Sequence, residues 1–333
     1  MKFWQKVGLP LVVGGLLTGA ASEQVYAQST IKIDGSSTVF PISEAFAEEF
    51  QIQKRGKVRV TVGVSGTGGG FKKFCRGETD VSNASRPIST GEMEKCRAAG
   101  IKYIELPIAY DAITVVVNPD NDWVKTLTVD DLKKMWEPAA QGKTLNWNQV
   151  RSEWPDQTLM LFGPGADSGT FDYFTEAVVG KSKASRGDYT ASEDDNTLVQ
   201  GVANNKNGLG YFGFAYYAAH KNRMRAIKID GGKGPVEPSL ENVINGSYSP
   251  LSRPLFIYVK EASMDKPEVK EFIQFLLVEG SELVSEVGYV PLPDEAYKLA
   301  WKHYTEKKMG TVFGGHSKVG ITVEELLSME AAL

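Results

Sequence analysis

Along this chain apolar and polar positions fall into repeated units of one kind. A strand-like run leads into a loop of glycines and hydroxyl residues, and then into an apolar stripe at helical spacing. Ile31 to Asp34 predicts a short strand that enters Gly35-Ser36-Ser37-Thr38, after which Ile42, Ala45, Phe46 and Phe50 recur with a helical period. Val58, Val60, Val62 and Val64 alternate strictly, the pattern of a half-buried strand. That strand ends in Ser65-Gly66-Thr67-Gly68-Gly69-Gly70, with Phe71 and Phe74 on the short helix that follows. Leu159 to Phe162 opens the third unit; its loop is Ala166-Asp167-Ser168-Gly169-Thr170, and Phe171, Phe174 and Val178 mark its helix.

Other segments fill in the plan. Asp80 to Ala84 is a short extended stretch leading to Ser85 and Arg86. Ile113 to Val117 is a continuous β-branched run, as in a strand buried on both faces. Leu255 to Val259 predicts a late strand, and Glu268 to Val278 a helix with Pro267 at its start and Gly280 at its stop. Ser281 to Val287 predicts a second short helix, and Thr322 with Glu325 a capping box for a last helix ending at Leu333. Gly231 to Pro250 is expected to be connecting loop, and Lys181 to Asp195 solvated surface. The alternation implies an α/β fold. The separation of the first two loops from the third implies two lobes, with crossings near Tyr110-Asp111-Ala112 and Ser252-Arg253-Pro254.

The loops carry the chemistry. A helix start leaves backbone N–H groups unpaired and partly positive, and hydroxyls add donors there. Three such starts meeting at one point would hold a small anion without a metal. Arg86 would add a guanidinium whose fork fits a tetrahedral oxyanion.

Composition narrows the classes. The chain has 333 residues, is 42% hydrophobic and carries a formal charge of -4, enough for a large core and against a nucleic-acid partner. Lys2 and Lys6, the apolar stretch Val7 to Ala20 and the small-x-small Val25-Tyr26-Ala27 read as a secretory signal peptide, residues 1–27. Cys75 and Cys96 are an even pair in an exported chain and predict a disulfide. His220, His303 and His316 form no metal-ligand spacing, and no metal or cofactor is expected. Trp123, Trp136, Trp147 and Trp154 are expected to be packing residues rather than a sugar-stacking surface. A serine hydrolase or phosphatase is the alternative from another class, but the chain has no Gly-x-Ser-x-Gly elbow, and its histidines are remote in sequence from the hydroxyl loops.

The segments Gly35 to Ile42, Ser65 to Lys72, Asp80 to Ile88 and Asp167 to Thr170, with Tyr110-Asp111-Ala112 and Gly208-Leu209-Gly210-Tyr211-Phe212, resemble the exported phosphate-binding proteins of Pst-type ABC transporters (the PstS family). The order of these motifs matches over nearly all the chain after the leader. The Cys75/Cys96 pair and the extended C-terminus are similar to the SphX-like branch of cyanobacteria. The resemblance implies a type II periplasmic-binding-protein fold, with lobe I from 28–111 plus 254–333 and lobe II from 112–253. It implies a non-enzymatic, periplasmic monomer, free or peripheral on the outer face of the cytoplasmic membrane, that passes phosphate to a membrane ABC permease. Another tetrahedral oxyanion, or a sensing role, is the alternative within that class.

Carried over by position, the phosphate ligands would be Ser37, Thr38, Phe40 through its backbone N–H, Ser65, Thr67, Ser85, Arg86, Ser168, Gly169 and Thr170. Two positions depart from the family pattern. Ser85 stands where many members place the carboxylate that accepts the phosphate proton, and Pro164 where they place an arginine. Arg86 is the expected replacement cation. Asp111 and Asp167 are the remaining candidates for the proton acceptor, with Asp111 equally able to pair with Arg86.

Overall fold

The computed structural model describes residues 28–332. The expected leader at residues 1–27 lies outside them. The elements that position the cleft are β1 (Ser29–Gly35), α1 (Phe40–Gln53), β2 (Val58–Val64), α2 (Gly66–Cys75), β3 (Val81–Ala84), α3 (Thr90–Ala98) and β4 (Tyr103–Val117). They continue with β5 (Met160–Pro164), α4 (Gly169–Val179), β6 (Thr190–Ser192), α5 (Asp195–Ala203), β7 (Gly208–Gly213), α6 (Phe214–Ala219) and β8 (Ser252–Lys260). The chain ends through α7 (Pro267–Gln274), α8 (Asp294–Glu306) and α9 (Val323–Ala331).

One sheet runs in the order β2-β1-β3-β8-β4-β7-β5-β6. Its two halves meet along β4. Tyr103 to Ala112 of β4 pairs antiparallel with β8, and from Ile113 onward β4 pairs instead with β7. Every residue of β4 is buried, so the β-branched run at Ile113 is the last third of a strand of 15 residues, three times as long as the pattern suggested. β1 lies parallel to β2 and β3, and β5 parallel to β6 and β7. Each of the three glycine-hydroxyl loops follows the C-terminal end of a parallel strand, the edge where α/β sheets bind ligands.

The predicted strands and helices are present with boundaries moved by a few residues. The helix expected at Glu268 to Val278 begins at Pro267 and passes into one π turn at Phe275–Glu279. The Thr322/Glu325 capping box forms, with the Thr322 hydroxyl accepting from the Glu325 N–H and α9 stopping at Ala331. The stretch expected as loop between Gly231 and Pro250 holds a short strand, Pro235–Val236, and a short helix, Leu240–Ile244. Arg186 and Asp195 are buried, against the expectation that 181–195 is solvated surface. Both side chains are drawn inward by polar groups that the sequence pattern cannot display.

Trp136 and Trp147 are fully buried, and the Trp136 ring meets Phe174, Tyr189 and Tyr211. Trp123 and Trp154 pack edge-on against Trp147. These rings are core, not a stacking platform. Cys75 and Cys96 form a disulfide between the end of α2 and α3.

Candidate functional site

The loops of both halves meet at one buried cluster. Thr38, before α1, and Thr170, in the first turn of α4, place their hydroxyls 2.9 Å apart across the boundary between the halves. Thr67, at the start of α2, accepts the Ser85 N–H at 3.1 Å and lies 3.2 Å from the Ser85 hydroxyl. Ser168 caps α4, accepting from the Thr170 and Phe171 N–H groups. A Cβ on Gly169 would come within 2.5 Å of the Thr67 Oγ1 and 2.7 Å of the Ser85 Oγ. The N-terminus of α4 therefore docks on Thr67 and Ser85 at a distance only glycine allows.

The cation of this cluster is Arg253, at the head of β8, with no solvent exposure. Its Nη2 donates to Thr170 Oγ1 at 2.8 Å, Asp111 Oδ2 at 3.0 Å and Thr38 Oγ1 at 3.3 Å. Its Nη1 donates to the Ser85 carbonyl at 2.9 Å, and its Nε has no protein partner. Asp111 faces Arg253 in the β4–β8 register. Its other oxygen accepts from the Phe214 N–H. Burial pushes the Asp111 carboxyl above the usual carboxylate range, and Arg253 pulls it back only in part.

Arg86, expected as the cation, is placed elsewhere. Its Nη1 and Nη2 grip Glu92 in a fork at 2.8 Å each, its Nε donates to Asp172 at 2.7 Å, and Nη1 also reaches the Pro87 carbonyl. Burial works against the charge of Arg86, but Glu92 and Asp172 outweigh it, so the guanidinium is held firmly ionised. Its fork is committed to two carboxylates, and it ties α3 to α4 beneath the cleft.

Asp167 is likewise turned away. Both its carboxylate oxygens take the Lys72 ammonium at 2.7 Å on the surface, while its carbonyl accepts from the Gly68 N–H. Of the two candidate proton acceptors, only Asp111 lies in the cluster. The Ser65 hydroxyl donates to Asp34 instead of facing the cleft. The Phe40 N–H is spent on the Ser36 and Ser37 carbonyls as α1 begins. Ser37 is buried, and its carbonyl is held by the Tyr216 hydroxyl.

Two buried charged residues at or beside the cluster, Arg253 and Asp195, are not among the sequence-based candidates. Arg253 enters the sequence pattern only as part of a crossing. Its signal was a lone arginine heading an apolar strand, opposite the lone Asp111 of the other crossing. Asp195, in the first turn of α5, is fully buried beside Ser37. Its signal was a polar Asp194-Asp195-Asn196 start followed by Leu198, Val199 and Val202 at helical spacing.

A sheet in two halves, joined through continuous strands and closing hydroxyl-bearing helix starts onto one buried guanidinium, defines a type II periplasmic-binding-protein fold. A family model described as a PBP superfamily domain matches residues 18–279. Protein SphX of Synechocystis sp. is 52% identical over 318 residues, 95% of this chain and 94% of that one. The phosphate-binding protein PstS of Staphylococcus haemolyticus is 40% identical over 312 residues, 90% and 95% of the two chains. The crystal structure of a putative phosphate ABC transporter substrate-binding protein with bound phosphate, from Clostridium perfringens, aligns with a TM-score of 0.68 at 30% identity, covering 80% of this chain and all of that one. The chain belongs to the PBP superfamily, within the family of SphX and PstS proteins.

Proposed function

We infer that this protein captures inorganic phosphate between its two lobes and delivers it to a membrane ABC permease for import. The observation that carries the reading is the convergence of Thr38, Thr67, Ser85 and Thr170 on the fully buried Arg253 at the capped start of α4. Hydroxyls, helix N–H groups and a guanidinium are the donors a tetrahedral oxyanion needs, and a low-dielectric site strengthens each of them. The relatives named above supply the choice of phosphate and of an ABC transporter. The leader expected at residues 1–27 would place the protein outside the cytoplasmic membrane, and among the described residues no helix is long and apolar enough to cross one.

The proposed ligand set is Thr38, Thr67, Ser85, Ser168, Gly169, Thr170 and Arg253, with Asp111 holding Arg253 in place. Lobe I would comprise 28–111 with 254–333 and lobe II 112–253, since β4 changes partners between Ala112 and Ile113. The protein acts as a stoichiometric binder, not an enzyme. Calorimetry on phosphate-stripped protein should show one saturable site per chain, competed by arsenate more strongly than by sulfate, with no turnover of a chromogenic phosphate ester. No heat and no thermal shift with phosphate would remove the assignment.

A further inference from the structure

Asp195 lies outside the proposed ligand set, yet it is 1% exposed and its Oδ2 has no hydrogen-bond partner in the protein. It belongs to α5 in one half of the sheet, while its neighbour Ser37 belongs to the β1–α1 loop of the other. Tyr216 and Tyr289 hold that loop by donating to the Ser37 and Thr38 carbonyls. Both phenols feel the Asp195 charge. The charged groups around Asp195 are Asp111 on β4, Arg253 on β8 and its own neighbour Asp194.

Two buried carboxylates thus lie in the field of one guanidinium, which contacts Asp111 alone. With both ionised the cluster is net negative before any anion enters, and an oxyanion makes it more so. A low-dielectric site cannot carry that charge cheaply, and the relief available is a proton. Asp111 has the Arg253 contact, so Asp195 is the carboxylate left to take it.

We propose that closure of the two lobes is proton-linked through Asp195, so that capture of the anion draws a proton from solvent onto this carboxyl. The inference rests on the cleft being an oxyanion site and adds its regulation. Burial lifts the carboxyl from 3.8 to about 7 in this closed arrangement, against the pull of the Ser37 hydrogen bond and Arg253. In an open form, with Ser37 withdrawn and water admitted, it returns toward the ordinary value. A group raised in the closed state favours closing fully below its open value, and that advantage is lost as pH rises toward 7. At the steepest, affinity should fall about tenfold per pH unit from this group alone.

The test compares the parent with Asp195→Asn, Ser37→Ala and Asp111→Asn. Phosphate titrations at pH 5.5–6.5 in two buffers of different ionisation heat give the protons taken up per anion. The parent should take up about half to one proton more than Asp195→Asn, whose affinity should be flatter from pH 4.5 to 7. Phosphate's own titration is common to all variants and cancels in the difference. Ser37→Ala keeps the carboxyl but removes a donor to it, so its pH midpoint should move upward. That arm keeps the idea testable if Asp195→Asn does not fold. Equal proton uptake in the parent and Asp195→Asn, or an unmoved midpoint in Ser37→Ala, overturns the proposal. Small-angle scattering without phosphate provides an independent reading. The open fraction should rise from pH 5 to 8 in the parent and stay level in Asp195→Asn, so failure of phosphate to bind remains distinguishable from failure of the proton link.

Discussion

Exchanging Arg253 for lysine tests which arginine binds the anion. Arg253 makes four hydrogen bonds from two nitrogens, reaching Ser85, Thr38 and Asp111 on one side of the cleft and Thr170 on the other. Lysine keeps a charge for Asp111, so the aspartate is not left buried alone, but it cannot span Ser85 and Thr170 together. Each charge-assisted bond contributes roughly 1.5–3 kcal/mol. Losing one or two of them should weaken phosphate binding by about 2–5 kcal/mol, roughly thirty- to several-thousand-fold.

Arg86→Met is the counterpart. Its donors are spent on Glu92, Asp172 and Pro87, so the cost should fall on folding, about 3–5 kcal/mol for breaking a buried ion pair, with affinity changing less than about tenfold. Calorimetry near 15 °C, with circular dichroism confirming that each variant is folded, reads the two effects separately. If folded Arg86→Met lost more affinity than Arg253→Lys, the site would have to be redrawn around Arg86.

Gly169→Ala should cut affinity by more than tenfold with little change in melting temperature, because its Cβ would collide with Thr67 and Ser85 only when the lobes meet; calorimetry and a melting curve check it. Replacing both Cys75 and Cys96 by serine should cost about 3 kcal/mol of stability in a urea titration, since the bridge spans a sequence separation of 21. Glu330, buried beside His303, is pushed up to about 8, chiefly by burial and then by Glu105. The folded state therefore resists its ionisation, and the stability this group provides below its ordinary value is lost as pH rises toward 8. Glu330→Gln should remove that loss, so a parent-like decline in stability from pH 5 to 8 in the variant would contradict it.

The three strand–loop–helix units were legible because each rests on local signals: an apolar run, glycines that permit close approach, and a hydroxyl where a helix needs a cap. The Cys75–Cys96 bridge follows from an even cysteine count in a chain whose leader pattern predicts export. The charges were not legible in the same way. Arg86 sits in a recognisable motif, but whether its fork faces an anion or two carboxylates depends on Glu92 in the next helix and Asp172 more than eighty residues on. Asp167 stands in the right loop, yet its side chain points to Lys72 on the opposite lobe. Burial of Asp195 is equally a tertiary fact, since Ser37 lies far from it in sequence. Local pattern finds the donors that helices present. It does not find which long side chain reaches them, because a guanidinium or carboxylate spends its bonds wherever the fold brings a partner.

The positions of Arg253 and Asp111 have a consequence for how capture proceeds. Both lie on the strands that run between the two halves, facing each other in the β4–β8 register. A hinge motion about those strands would separate Thr38, Thr67 and Ser85 from Thr170 while leaving this pair paired. The guanidinium, its charge offset by Asp111, would then be in place in the open form, whereas the ring of hydroxyls would exist only in the closed one. A donor fixed in place before closure acts on the first contact, while donors that arrive on closure act on escape. Arg253 should therefore influence both the arrival and the departure of the anion. Gly169 and Thr170, which complete the ring, should influence departure alone. Proton uptake at Asp195 belongs to the same second stage, because its partner Ser37 arrives only when the halves meet. An anion held first by one fixed guanidinium, and then enclosed by donors from both lobes, accounts for a cleft with a single buried cation and so many neutral hydroxyls.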